Sequence, residues 1–242
     1  MRLVPTTLLL ALLFLLPATP GRAFSDAELI GGFMRTVFGS EYPSWGWQAG
    51  MVKKYVKPVR VYVDDRSSAR RGSEVVAFVR TLPRLIDGLQ VFVVADPAAA
   101  NYRIFVIDRA DYRRVVSREV YARTTSDYAP GKCLVRVVSS HSGITRSDAA
   151  IVADEGDFLF HRCLVEEVLQ GLGPVNDDGA LPESVFNDRS KHSTFTSFDR
   201  HILNMLYHPL IRPGMTREQS AEVLPVVAAE VQARLRQAAT LP

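Results

Sequence analysis

Two continuous apolar runs, LQVFVVAD (Leu89 to Asp96) and YRIFVID (Tyr102 to Asp108), constrain this chain most. Consecutive apolar residues on a strand point to both faces, so both faces must be covered. The runs predict two central strands joined by a Pro/Ala turn. Upstream, VRVYVDD alternates Val59, Val61 and Val63, the period of a half-buried strand. Downstream, CLVRVVSS and DAAIVAD read as a hairpin whose loop carries His141, Ser142 and Gly143.

Helical periodicity surrounds these strands. Ser25 or Asp26 caps a first helix with Leu29, Phe33 and Val37 repeating every four residues. A second carries Val75, Val79, Leu82 and Ile86, and Pro83 is expected to kink or end it. A short basic helix covers Asp111 to Val116. A longer one spans Asp157 to Leu172, stopped by Gly171 and Gly173 with Pro174 just beyond. Thr196 to Tyr207 forms another helix, and PLIRPGM is an extended connector. TREQ, Thr216 to Gln219, spells a capping box and opens a last helix with Leu224, Val227, Val231 and Leu235 on one face. The irregular YPSWGWQAG is expected to pin Trp45 and Trp47 onto the core. No internal repeat is present. Strands mixed with helices early and helices alone late make an α+β domain.

The chain opens with Arg2, an apolar run from Leu8 to Leu16, then Pro17, Pro20 and Gly21-Arg22-Ala23. That is the layout of a secretory signal peptide, residues 1–23. The run is too short to be read first as a membrane anchor. Residues 24–242 then form one domain, periplasmic or secreted, with no later membrane span. The formal charge of +3 falls to +1 when Arg2 and Arg22 leave, which gives no reason to invoke nucleic acid. The only cysteines, Cys133 and Cys163, read first as a disulfide in an oxidising compartment. The alternative is two buried thiols.

On the Asp157–Leu172 helix, Glu166 and Gln170 are four apart and share a face, with Glu167 at 100° beside them. Cys163 falls on the same arc, while Leu164, Val165, Val168 and Leu172 pack inward. This spacing suits two metal ligands one turn apart with a general base between them. The string E-E-x-x-Q-x-x-G-x-x-N, Glu166 through Gly173 to Asn176, resembles the metzincin pattern H-E-x-x-H-x-x-G-x-x-H with all three ligands replaced. PESVFND resembles the Met-turn segment, with Phe186 at the methionine position. Thr196, Asp199, Leu203, Leu206 and Tyr207 resemble the helix that closes such catalytic domains. The combination also resembles an exported bacterial family catalogued as a domain of unknown function, with a degenerate zincin-like core. The matching segments run from Cys133 to Met215.

The resemblance implies a zincin-like fold: a mixed sheet with N-terminal helices, a remnant active-site helix and C-terminal helices. Gln170 and Asn176 offer neutral amides where zinc prefers imidazole or thiolate, so no metal and no cofactor are expected. Of the five histidines, His141, His161, His192, His201 and His208, only His192 is placed to reach the helix. The expected role is non-catalytic binding of a peptide-like or envelope ligand by Glu166, Gln170, Asn176 and Asp177. It uses a cleft beside the sheet's edge strand, where zincins hold extended peptides by strand addition. The alternative is a hydrolase with Glu167 as general base and a non-standard metal or none. A third class, an accessory protein, predicts a filled cleft. Asp177 and Asp178 are expected to turn their loop, and Asp199 to cap its helix.

Overall fold

The structure, a computed structural model, describes residues 23–39, 50–122 and 129–240. The signal-peptide segment before Ala23 and the expected anchoring of Trp45 and Trp47 lie outside the described residues. Five strands form one sheet: β1 Val59–Asp65, β2 Val91–Val93, β3 Tyr102–Ile107, β4 Leu134–Ser140 and β5 Gly143–Val152. Their order is β2-β1-β3-β5-β4. β1 pairs in parallel with β2 and β3, and β3 in parallel with β5. β4 runs antiparallel to β5 and closes one edge. With helices α1 Asp26–Thr36, α2 Gly72–Leu85, α3 Tyr112–Val115, α4 Asp157–Gln170, α5 Ser197–Leu206 and α6 Arg217–Thr240, this is a mixed α+β architecture.

YRIFVID is a central strand as expected, but LQVFVVAD is not. Only Val91–Val93 is extended, it lies at the sheet's other edge, and Phe92 is 56% exposed. The reason is the second layer. One sheet face packs Val59, Val61, Tyr102, Ile104, Val106 and Ile151 into the main core. The opposite face carries a smaller core, in which Tyr112, Val115, Val116 and Val120 cover only β3, β4 and β5. Among the described residues this layer does not extend over β2, where Phe92 stays exposed. An apolar run records that burial is available to it, not which neighbour provides it.

Local signals fared better. Glu28 N donates to Ser25 Oγ at 3.2 Å and Ser25 N to Glu28 Oε2 at 2.9 Å, a complete capping box on α1. Thr216 and Gln219 repeat it on α6. Pro83 sits inside α2, which ends two residues later at Leu85. The basic helix α3 continues as a π-helical turn, Val116–Val120. Its terminal carbonyls accept from Arg103 at 3.0 Å and Arg136 at 3.1 Å. Among the described residues no helix is long and apolar enough to cross a membrane.

α4 stops at Gln170 rather than Leu172, and close approach shows why glycine follows. A Cβ on Gly171 would lie 2.1 Å from the Tyr102 hydroxyl. Gly173, at φ +142°, would put one 2.1 Å from the Lys53 carbonyl. Cys133 and Cys163 are disulfide-bonded with Cα atoms 5.8 Å apart, tying the residue before β4 to the middle of α4.

Candidate functional site

From Arg162 to Gln170 every residue of α4 is buried. Buried polar groups need partners, and these side chains find them in the loop that follows the helix. Arg162 donates to Glu166 Oε1 at 2.9 Å, one turn along, and to the Asn187 carbonyl at 3.2 Å. Asp188 Oδ1 lies 3.9 Å from the same guanidinium. Gln170 Nε2 donates to Asp177 Oδ1 at 2.7 Å. Asn176 Nδ2 donates to the Arg35 carbonyl at 2.8 Å, and Asn176 N to the Thr36 carbonyl at 3.1 Å. Gln170 and Asn176 therefore fasten the loop to α4 and α1.

In front of this face lies a cleft of about 800 Å³. One wall is Gly131, Lys132 and Cys133, which lead directly into β4; the other is α4, through Phe158, Leu159, Arg162, Glu166 and Glu167. Glu155, Asp177, Asp188 and Ser190 complete the lining, and the Cys133–Cys163 bond joins the two walls. Of the sequence-predicted site residues, Glu166, Glu167 and Asp177 line the cleft, while Gln170 and Asn176 do not. No histidine lines it. His161 faces Glu74 at 3.2 Å, and His192 Nε2 lies 3.1 Å from the Pro182 carbonyl.

The segment after the loop is anchored from below. Asp199 is fully buried and accepts from Ser184 Oγ at 2.6 Å, Val185 N at 2.9 Å and Thr196 Oγ1 at 2.7 Å. Burial pushes its carboxyl above the usual range, against the pull of those three bonds. Thr196 is the residue that caps α5, accepting from Asp199 N at 3.0 Å. Asp199 thus does more than attend a helix end: it pins the turn that buries Phe186. Asp178 turns its loop by accepting from Ala180 N at 2.8 Å, and Arg35 beside it holds its carboxyl below the usual range.

The family model described as "Protein of unknown function (DUF2927)" matches residues 26–226. The chain belongs to this family. The DUF2927 match runs from the first turn of α1 into α6 and so contains every residue of the cleft. No curated protein and no solved structure matches the chain.

Zinc chemistry does not fit the residues present in this DUF2927 chain. The three ligand-like positions offer one carboxylate, Glu166, already paired with Arg162, and two amides, Gln170 and Asn176, in place of the imidazoles zinc prefers. Glu166, Asp177 and Asp188 place carboxylate oxygens within 4.8 Å of one another, an all-oxygen group of the kind harder ions prefer. The Arg162 guanidinium lies against two of the three. In the other grouping, Cys133 with Glu166 and Glu167, the sulfur is committed to the disulfide. Sequence reasoning missed Arg162. The available signal was its i, i+4 spacing to Glu166, an ion-pair register on any helix.

Proposed function

We propose that this is an exported, non-catalytic binding protein that holds a peptide-like or envelope-derived ligand in the cleft between α4 and the residues that lead into β4. A zincin-like ancestry of the core is part of that proposal. It is supported by the antiparallel edge strand, the glycine-terminated helix beside it, and the closing helix α5 that anchors the Ser184–Phe186 turn. Export is supported by the disulfide, which suits an oxidising compartment, and by the signal-like opening sequence.

One observation carries the reading: the cleft is open while Glu166 and Gln170, at two of the ligand-like positions, are engaged by other side chains. A hydrolytic site needs a base or metal aimed at the substrate and a donor for the developing oxyanion. Here the Gln170 amide donates to Asp177 and the Glu166 carboxylate is held by Arg162. An accessory protein without a binding role would have no use for a cleft of about 800 Å³. A second reading has Glu167 as general base, favoured by its buried place in the cleft wall.

The two separate on one experiment. The mature protein, purified without a histidine tag, is screened by thermal shift against envelope-derived peptides and glycans, and hits are assayed for turnover with the wild type and Glu167→Gln. Ligand-dependent stabilisation without product formation is expected. Turnover that disappears in Glu167→Gln, with the circular dichroism spectrum unchanged, replaces binding with hydrolysis.

A further inference from the structure

We propose that the cleft selects positively charged segments: an extended peptide continues the sheet along β4 and places a lysine or arginine side chain between α4 and the loop around Asp188. The proposal rests on the binding reading above and adds the chemistry of the ligand.

Three features meet here. First, β4 ends the sheet, with β5 as its one strand neighbour among the described residues. An edge strand presents backbone donors and acceptors to an incoming strand. Residues 131–133, which lead into it, already form a cleft wall, so a peptide paired along β4 runs into the cleft. Second, the charge is one-sided. Among the described residues five carboxylates line the cleft, Glu155, Glu166, Glu167, Asp177 and Asp188, against two lining cations, Lys132 and Arg162, and Arg109, which pairs with Glu155 at 3.0 Å from outside the lining. The chain as a whole carries a formal +3, so this excess of negative charge is local and not a reflection of overall composition. Low-dielectric walls concentrate such a field on whatever enters. Third, Phe158 stands at the cleft wall 54% exposed. An exposed aromatic ring beside carboxylates suits the aliphatic stem and cationic head of a basic side chain. The volume of about 800 Å³ falls within the ~300–1,000 Å³ usual for ligand pockets.

The test uses fluorescein-labelled decapeptides that alternate threonine with lysine, with glutamate, or with glutamine. Binding to the mature protein is read by fluorescence anisotropy at low and physiological salt. The lysine peptide is expected to bind at least about tenfold more tightly than the glutamine peptide, with the glutamate peptide weakest and the preference shrinking with salt. Asp188→Lys, at a side chain 77% exposed and safe for folding, is expected to abolish the preference. Glu222→Lys, on an exposed position of α6, is expected to leave it intact. Equal affinity for all three peptides, lost on blocking the cleft with Lys132→Trp at an exposed lining position, overturns the charge proposal and leaves the binding reading standing. A lysine preference untouched by Asp188→Lys also overturns the charge proposal. Failure of all three peptides to bind overturns it and removes peptide binding from the proposed function as well.

Discussion

The Arg162 guanidinium lies 2.9 Å from the Glu166 carboxylate, one turn away on a stretch of α4 in which every residue is buried. The pair is a cation supplied by the chain itself, at the carboxylate that heads the metal-ligand-like string. Its removal is therefore costly from one side only. Arg162→Met leaves a buried carboxylate without its cation and is expected to destabilise the protein by about 3–5 kcal/mol. The double variant Arg162→Met/Glu166→Leu is expected to recover most of that loss. Urea unfolding of the wild type, Arg162→Met, Glu166→Leu alone and the double variant measures it; an additive double variant would show that the two side chains are not coupled.

The Cys133–Cys163 bond closes a loop with a sequence separation of 30 residues and joins the walls of the cleft. The chain-entropy model gives it roughly 3–4 kcal/mol. Cys133→Ala/Cys163→Ala is expected to lose about that much stability and to weaken ligand binding, because the walls then move independently. Alkylation without reductant, followed by mass spectrometry, should label no thiol in protein produced in an oxidising compartment.

Asp199 gathers three hydrogen bonds from Ser184, Val185 and Thr196 at a fully buried position. Asp199→Ala leaves those donors unsatisfied and is expected to cost about 2–4 kcal/mol. Asp199→Asn keeps one acceptor and should cost less. Thr196→Ala removes the α5 cap and one of the bonds, for about 1 kcal/mol. Thermal melts that rank the variants in any other order argue against the anchoring role.

Two adjacent lysines give an unusual pH dependence. Lys54 Nζ donates to the Ile211 carbonyl at 2.8 Å and the His208 carbonyl at 3.3 Å, and Lys53 Nζ to the Met51 carbonyl at 3.2 Å. Burial lowers both to about 8. Below that pH both folded and unfolded chains carry the protons. Between about 8 and the unfolded value of 10.5 the unfolded chain still binds protons that the folded chain has released, so stability rises with pH. Burial raises Tyr55, Tyr102 and Tyr207 above their usual 10.0, so above that pH the unfolded chain loses protons first and stability falls. Urea midpoints are expected to climb from pH 8 toward a maximum near 10 and then drop. Lys53→Met and Lys54→Met should each flatten the climb; a flat wild-type profile would contradict it.

The difference between what was legible and what was not follows the range of the interaction. The capping boxes at Ser25/Glu28 and Thr216/Gln219 close over three residues, so spelling and structure coincide. Val59 and Val61 alternate as the strand period requires and both point into the main core. The face shared by Glu166 and Gln170 was readable from helical spacing, but their duties were not. Gln170 meets Asp177 only because the chain turns at Gly171 and Gly173, and Arg162 is buried only because Asn187 to Ser190 fold back over it. A charged residue between helix positions gives no sign of the loop that will cover it.

By itself the sequence determined the elements, their caps, the cysteine pair and the polar face of α4, because each depends on residues a few positions apart or on composition. The tertiary structure alone decided that LQVFVVAD would be an edge, that an arginine would hold Glu166, and that an open acidic cleft would lie between α4 and the residues leading into β4. Those outcomes depend on which surfaces, distant in sequence, exclude water together, and no local pattern encodes that choice.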